Sequence, residues 1–288
     1  MQDCVINFTP TGMVPQKNQV PTLPISVDEI VAEVLSACRM GITMVHLHAR
    51  NPDGTATSDA GIYGEMIAGI REQEPELIIC VSLSGRNVFD LDRRSAPLSL
   101  HGMLKPDLGS LTMSSLNFSN QASMNAPDTI QRLARMMQER GILPEVELFD
   151  LGMANYFRYL VEKGWLHPPH YANLLLGNIA GAQMDLAHAG LLIRDLPPGT
   201  IWSLGGLGRA QLQANTVALA MGGGVRVGLE DNIYEDSART RIASNYSLLQ
   251  RVHALAALLG MSCMTPQRLR QHLRLAPGNG NYGRSPLA

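Results

Sequence analysis

Short apolar runs rich in β-branched residues alternate along this chain with longer segments whose apolar residues recur every three to four positions. The short runs predict buried strands, and the longer segments predict amphipathic helices. Eight strands are expected at about residues 3–9, 43–48, 77–83, 108–112, 145–149, 172–176, 200–204 and 225–229. Helices are expected at about residues 26–40, 59–73, 127–140, 153–163, 183–192, 208–221 and 237–259, with a short one after 265.

This alternation of strand and helix predicts an α/β protein with a parallel sheet, because parallel strands need crossover connections that are right-handed and helical. The chain has 288 residues, close to the ~250 typical of a closed barrel of eight strands and eight helices. We therefore expect a TIM barrel as a single domain over residues 1–288, with residues 265–288 as a C-terminal extension that packs on a neighbour or frays. A doubly wound open sheet is the alternative.

Two histidines stand at the end of the second predicted strand, in the sequence Thr43-Met44-Val45-His46-Leu47-His48. Alternate side chains of a strand share a face, so His46 and His48 can approach one metal ion. In a barrel the C-terminal ends of the strands form the functional face. The alternative is a pair of histidines whose hydrogen bonds are satisfied within the core or at the surface.

A third ligand is expected from the last predicted strand. Arg226 and Glu230 share a face if the strand stays extended, and Gly228 would leave open space between them. Two histidines and one carboxylate are the ligand set of many catalytic zinc sites, which makes Glu230 the candidate. Asp231 would point elsewhere and be free to act as a base, whereas a buried Arg226–Glu230 ion pair is the alternative reading.

Composition narrows the possible partners. The formal net charge is −2 and the pI is about 6.4, so the chain as a whole does not attract nucleic acid or an acidic membrane. Small molecules or further copies of this chain are the expected partners. The start has no basic, apolar signal segment, and no apolar run reaches ~18 residues, which predicts a cytoplasmic protein. The four cysteines are scattered and are expected to be reduced.

Several strings together resemble the β-keto acid cleavage enzymes, a family whose type member is the 3-keto-5-aminohexanoate cleavage enzyme. They are TPTG (9–12), VHLHAR (45–50), VSLSG (81–85), SLNF (115–118), PEVELFDLGM (144–153) and VRVGLEDN (225–232). The resemblance spans about residues 3–270. It implies a zinc-bearing TIM barrel, usually tetrameric, that exchanges acyl groups between a β-keto acid and acetyl-CoA to give acetoacetate and a new acyl-CoA.

The resemblance also assigns roles to matching positions. It implies that the metal ligands are His46, His48 and Glu230, and that Ser82 and Ser110 hold the keto acid end of the substrate. Glu147, Arg226 and Asp231 match charged residues linked to catalysis in the family. Asp231, oriented by Arg226, is the candidate base for deprotonating the carbon between the two carbonyl groups, with Glu147 as the alternative.

Two positions bear on the tail of the substrate. Where the type member has a glutamate for the substrate's amino group, this chain has Val14, which predicts a neutral or anionic acyl tail. Arg86, in the loop after the third strand, could bind a tail carboxylate, but it could equally be a solvated arginine or contact CoA phosphates. The same CoA role is conceivable for Arg93-Arg94 and for the glycine-rich turn 205–208.

Two other functional classes stay open at this point. A zinc hydrolase of the amidohydrolase type also uses H-x-H on a barrel strand, but it would need further histidines near the ends of strands five and six. The chain has Glu147 and Asn178 there instead. A non-catalytic metal-binding barrel is the third possibility.

Overall fold

The computed structural model describes residues 3–284 and contains a closed barrel of eight parallel strands. Each strand pairs with the next along the chain, and the eighth pairs with the first, with Val225 opposite Ile6. This confirms the TIM barrel and excludes the open sheet. The barrel strands are Ile6–Phe8, Met44–Leu47, Ile78–Val81, Leu108–Thr112, Leu143–Leu148, Tyr171–Leu176, Ile201–Gly206 and Gly224–Val227.

Helices connect these strands around the outside of the barrel. They are α1 (Val27–Met40), α2 (Ala60–Gln73), α3 (Leu91–Arg94), α4 (Pro127–Arg140), α5 (Leu151–Glu162), α6 (Leu186–Arg194), α7 (Ala210–Ala220), α8 (Asn245–Leu258) and α9 (Pro266–Leu273). The predicted capping box at the start of α1 is present, because Ser26 and Glu29 exchange side-chain to backbone hydrogen bonds.

Most elements lie within two or three residues of the prediction, but two differ from it more strongly. The expected strand 3–9 is divided: Asp3–Cys4 pairs with Ser262–Cys263 outside the barrel, and only Ile6–Phe8 joins the barrel. The expected helix 237–259 begins only at residue 245. The Asp236 carboxylate accepts hydrogen bonds from the backbone of residues 240 and 241, which folds this part of the chain into a turn before the helix begins.

Further short elements fill the connections. Ala49–Arg50 pairs with Ala56–Thr57, and Leu116–Asn117 pairs with Ala122–Ser123, each pair being an antiparallel ribbon that follows a barrel strand. The poorly periodic stretch after the third strand contains α3 and two 3₁₀ turns, Ala96–Ser99 and Gly102–Leu104. Within residues 3–284, none of the helices combines the length and the apolar character that a bilayer span requires.

The C-terminal extension packs on its own barrel as far as residue 284, so the expectation that it frays is wrong for this part. Leu269 and Leu273 of α9 are fully buried against the apolar layer at the N-terminal end of the strands. Arg270 donates two hydrogen bonds to the Asp107 carboxylate, at 2.8 and 2.9 Å. Residues 285–288 of the predicted extension lie outside the described residues.

Candidate active site

A cavity of about 550 Å³ opens at the C-terminal end of the barrel strands, where the prediction placed the functional face. Nine of the ten predicted site residues line it. They are Val14, His46, His48, Ser82, Arg86, Glu147, Arg226, Glu230 and Asp231. The tenth, Ser110, lies behind the wall, where its hydroxyl accepts the backbone N–H of Leu83 at 2.9 Å. Residues far apart in the sequence therefore meet around one space.

The three predicted metal ligands converge on one point of this cavity. His46 lies within the second barrel strand, and His48 is the first residue beyond that strand. Their Nε2 atoms are 3.2 Å apart, and His48 Nε2 lies 3.1 Å from Oε1 of Glu230. One donor atom from each of the three residues falls within 4.8 Å of the others.

Two features indicate that this set fits a cation. Oε2 of Glu230 is buried and has no hydrogen-bond partner in the described part of the chain, which is costly for a carboxylate oxygen unless something positive binds it. Burial disfavours a charged imidazole at His46, yet the nearby carboxylates of Glu145 and Glu230 raise its pKa to about 9. The surroundings thus stabilise positive charge where the three donor atoms meet, which is what a divalent metal ion would supply.

Glu145 is a functional residue that the sequence prediction missed. It lies in the fifth barrel strand, completely buried, with Oε2 at 2.5 Å from Nδ1 of His46. It is two residues before Glu147, so both carboxylates point to the same side of the strand. This E-x-E spacing was the available signal, but only the pairing of strands across the barrel shows that one of the two reaches His46.

Arg226 forms ion pairs with three acidic side chains at the other side of the cavity. Its Nη2 donates to Oε1 of Glu230 at 2.7 Å, its Nε donates to Oδ2 of Asp231 at 2.9 Å, and its Nη1 lies 3.6 Å from Oε1 of Glu147. The predicted ion pair between Arg226 and Glu230 and the predicted ligand role of Glu230 are therefore compatible, since the two contacts use one oxygen and leave the other unpartnered.

The path of the chain between these residues differs from the prediction. The eighth barrel strand ends at Val227, and residues 228–231 form a turn. The expectation that Asp231 points away from Glu230 is wrong because the turn brings both carboxylates to Arg226. Gly228 does not leave open space either: a Cβ atom there would stand 2.0 Å from the carbonyl oxygen of Thr9.

The two candidate bases share a similar environment. Burial raises the pKa of the Asp231 carboxyl above its ordinary value, although the adjacent Arg226 guanidinium opposes the shift. Burial likewise raises the pKa of Glu147, again opposed by Arg226, while its Oε2 accepts the hydroxyl of Thr112 at 2.7 Å. A carboxylate whose pKa is moved toward neutrality is better suited to accept a proton from carbon than an ordinary surface carboxylate.

The loop that carries Val14 forms part of the cavity mouth. Val14 is 56% exposed, which places an apolar group at the entrance of the cavity. Arg50, the last residue of the VHLHAR string, holds this loop by donating to the carbonyl oxygens of Gly12 and Pro15 at 2.7 and 3.0 Å. This arginine thus supports the entrance without lining it.

Arg86 lies on the opposite wall. Its guanidinium carbon is 3.5 Å from the ring centre of Phe118, within a cation–π contact that fixes the plane of the group. Its Nε is buried and lacks a hydrogen-bond partner among the described residues. The carboxylates of Glu230, Glu147 and Asp231 act on it through charge alone, so the guanidinium of Arg86 lines the cavity without a hydrogen-bond acceptor from residues 3–284.

Two other candidates for contacting phosphates are already engaged. Arg94 is buried and donates to the carbonyl oxygens of Leu83 and Met124 and to the side chain of Asn125, so its guanidinium is already bound within the protein. Arg93 is exposed, and its contact with CoA stays a prediction. In the turn at 205–208, the backbone N–H groups of residues 207 and 208 bind carbonyl oxygens of the chain. A Cβ atom at Gly206 would stand 2.4 Å from the backbone of Ala210, so this turn needs glycine for close packing.

Comparison with known proteins bears on these assignments. The family model for the beta-keto acid cleavage enzymes matches residues 3–275. A 3-keto-5-aminohexanoate cleavage enzyme of Fusobacterium nucleatum is 35% identical over 278 residues, which cover 96% of this chain and 99% of that protein. A 3-oxoadipate:acetyl-CoA acetyltransferase of Cupriavidus necator is also 35% identical, over 99% of both chains.

Among solved structures, the apo structure of ObcA superposes on 88% of this chain and 66% of its own with a TM-score of 0.76 at 20% identity, which bears on the fold alone. The family match and the two relatives each extend over nearly the whole chain and agree with the motifs that predicted the family. The chain belongs to the beta-keto acid cleavage enzyme family.

Proposed function

We propose that this protein is a zinc-dependent enzyme that converts a β-keto acid and acetyl-CoA into acetoacetate and a new acyl-CoA. The observation that carries this proposal is the meeting, in one cavity, of a three-donor cation site with a buried arginine that holds two candidate bases. The Cupriavidus relative, named as an acetyl-CoA acetyltransferase acting on 3-oxoadipate, supports the use of acetyl-CoA as co-substrate.

His46, His48 and Glu230 would hold the zinc ion. Zinc bound there would supply a Lewis acid that makes the protons between the carboxylate and the keto group of a β-keto acid more acidic. Ser82 lines the same cavity and is the candidate for binding the keto acid end of the substrate. Ser110 keeps the same predicted role, although its hydroxyl is engaged by the backbone of Leu83.

Asp231 is proposed as the base that takes the proton from the substrate carbon, with Glu147 as the alternative. Arg226 holds both carboxylates and carries the positive charge that stabilises the oxyanions of the acyl transfer steps. The deprotonated carbon bonds to the acetyl carbonyl and CoA leaves as a thiolate. The thiolate then attacks the original keto carbonyl, the carbon–carbon bond breaks, and the proton held by the base returns to the departing acetoacetate.

The acyl tail is proposed to be neutral or anionic. Val14 offers no counter-charge for a cationic tail at the entrance, whereas the unpartnered edge of Arg86 can bind a carboxylate. The name of the relative that acts on 3-oxoadipate, a β-keto acid with a second carboxylate, is consistent with an anionic tail.

Three six-carbon β-keto acids test this preference, because they differ in the charge of the tail: 3-oxoadipate, 3-oxohexanoate and 3-keto-5-aminohexanoate. With acetyl-CoA and zinc-loaded protein, acetoacetate and a new acyl-CoA should form from the first two, and the amino compound should react poorly. Comparable turnover of the amino compound and 3-oxohexanoate would contradict the tail assignment.

Arg86→Met separates the role of this arginine from the rest. Loss of a charged hydrogen bond costs about 1.5–3 kcal/mol, which corresponds to a loss of roughly 10- to 150-fold in kcat/KM for 3-oxoadipate. The same variant should keep its activity toward 3-oxohexanoate. Equal losses for both acids would show that Arg86 has no specific role at the tail.

His46→Ala tests the metal site and distinguishes the alternatives. This variant should lose both bound zinc and acyl exchange while retaining most of the fold, since the barrel core is built from other residues. Hydrolysis of a substrate by the wild type without CoA would favour the hydrolase alternative. A zinc-loaded wild type that transforms none of the keto acids would favour a non-catalytic metal-binding barrel.

Assembly and location stay predictions. The family resemblance predicts a homotetramer, and the sequence predicts a cytoplasmic protein. Light scattering coupled to size-exclusion chromatography tests the first, with about four times the 31.3 kDa chain mass as the expected result. Cell fractionation tests the second.

A further inference from the structure

Glu145 occupies a position that the proposed reaction does not use. It is completely buried in the fifth barrel strand, and its Oε2 faces Nδ1 of His46 at 2.5 Å. The other ring nitrogen of His46, Nε2, is the atom that points to His48 and Glu230. The carboxylate therefore contacts the imidazole from behind, on the side away from the candidate cation site.

We propose that Glu145 is a positioning residue for the metal site, a role that rests on the metal part of the proposed function. By accepting the Nδ1–H of His46, Glu145 leaves the lone pair of Nε2 directed at the point where the three donor atoms meet. A negative charge behind the ring also makes the imidazole a stronger donor to a metal ion. Glu145 thereby sets the orientation, the tautomer and the basicity of His46.

The carboxylate of Glu145 is itself held in place. Its Oε1 accepts the side-chain N–H of Asn7 at 2.8 Å, and its Oε2 accepts the thiol of Cys80 at 3.1 Å. Asn7 is in turn within hydrogen-bonding distance of Tyr171 and Asn173 on the sixth strand. All of these side chains are fully buried, so the carboxylate cannot turn away from His46 without also breaking its contacts with the first and third strands.

A second metal site at the same place is the competing explanation, since His46, Cys80 and Glu145 also bring their donor atoms together. The hydrogen bonds argue against it. Both oxygens of Glu145 already accept hydrogen bonds, whereas Glu230 keeps a buried oxygen without a partner among the described residues. The group that still needs a positive partner is therefore Glu230, and Glu145 supports its neighbour.

The test is zinc affinity, measured by competition with a chromophoric chelator in the absence of substrates. Glu145→Gln removes the charge at constant size, and Glu145→Asp keeps the charge but withdraws it from the ring. Both should bind zinc about 10- to 100-fold more weakly than the wild type, as changes behind a ligating histidine generally do. Glu33→Gln is the control: it makes the same change at a partly buried glutamate of α1 that does not line the cavity, and it should leave zinc affinity unchanged.

The hydrogen bond at Nδ1 of His46 gives a readout that a purely structural role would not move. In the zinc-loaded wild type, ¹⁵N-edited proton spectra should show the Nδ1–H of His46 shifted downfield by its hydrogen bond to the Glu145 carboxylate. In zinc-saturated Glu145→Gln this signal should move upfield while circular dichroism confirms the fold. Wild-type zinc affinity in both Glu145 variants would overturn the proposal, and so would a wild type that binds no zinc. Because no substrate is used, a zinc-binding protein that fails to exchange acyl groups would refute the proposed reaction and leave this inference standing.

Discussion

Replacing Arg226 by methionine removes a guanidinium that three acidic side chains share. Methionine fills a similar length of the barrel interior but offers no charge and no N–H donor. Glu230, Asp231 and Glu147 would then remain buried without their common counter-charge. We expect the variant to be strongly destabilised as well as inactive in acyl exchange.

The size of the effect follows from the contacts. Two of the ion pairs have N–O distances of 2.7 and 2.9 Å, and at an effective dielectric constant of about 20 each attraction amounts to about 6 kcal/mol. Desolvation of the charges offsets much of this attraction in the wild type, so the quantity that matters is the cost of leaving the carboxylates unpaired. Removing one partner of a buried pair costs about 3–5 kcal/mol, a large part of the ~5–15 kcal/mol that stabilises an ordinary domain.

Thermal unfolding of the zinc-free protein at pH 7 measures this loss. For a chain of this length we expect Tm to fall by about 6–10 °C. Arg194→Met is the control, because Arg194 forms an ion pair with Asp195 at 2.8 Å on the surface, where its side chain is 67% exposed. Its Tm should not change measurably. Similar Tm values for Arg226→Met and the wild type would refute the claim that the carboxylates depend on this guanidinium.

Three further changes have defined outcomes. Gly12→Ala should weaken zinc binding and activity together, because the new Cβ atom would stand 2.6 Å from Cγ of Glu230. The backbone φ of 64° at this position also favours glycine. Chelator competition and the acyl-exchange assay measure the two effects. Arg270→Met should lower the free energy of unfolding by about 3–5 kcal/mol through loss of its pair with Asp107, while kcat/KM of the folded fraction stays unchanged. Burial, with the nearby charges of Arg284 and His167, lowers the pKa of His170 to about 4, against about 6.5 in the unfolded chain. The contribution of the neutral His170 to stability is therefore present above pH 6.5 and is lost as pH falls toward 4. When the free energy of unfolding is measured with urea at several pH values, His170→Phe should make it depend less on pH between about 6.5 and 4. A pH dependence equal to that of the wild type in this interval would contradict the assignment.

The order of strands and helices could be read from the sequence because it depends on local patterns. Apolar β-branched runs, the Ser26 capping box and the proline at the first position of α4 act within a few residues. The start of α8 could not be predicted in the same way. Residues 237–244 have enough helical character to extend the pattern, but Asp236 binds the backbone after it and holds the chain in a turn.

The metal-ligand candidates His46 and His48 could be predicted from local spacing, whereas the residue that supports His46 could not. His46 and His48 are spaced by the period of a strand, so their convergence follows from local geometry. The contact between His46 and Glu145 joins strands that are not neighbours in the barrel, so the E-x-E spacing alone does not show that Glu145 reaches His46. Arg94 illustrates the converse, since an arginine in a polar stretch resembles a surface residue until its buried carbonyl partners are known.

The turn after the eighth strand explains why the metal site and the candidate base are coupled. Gly228 packs so closely against the carbonyl of Thr9 that any side chain there would collide with it, and the chain bends at this point, directly after the strand ends. The bend delivers two consecutive carboxylates to the same guanidinium, although consecutive residues of a strand would face opposite sides. Arg226 can therefore hold Glu230 by one oxygen, leaving the other for a cation, and orient Asp231 toward the same cavity. A side chain at position 228 would disturb both roles at once. The alternation of an extended strand first suggested Glu230 as a ligand, but it is the turn at residues 228–231 that makes this end of the chain suited to the proposed chemistry.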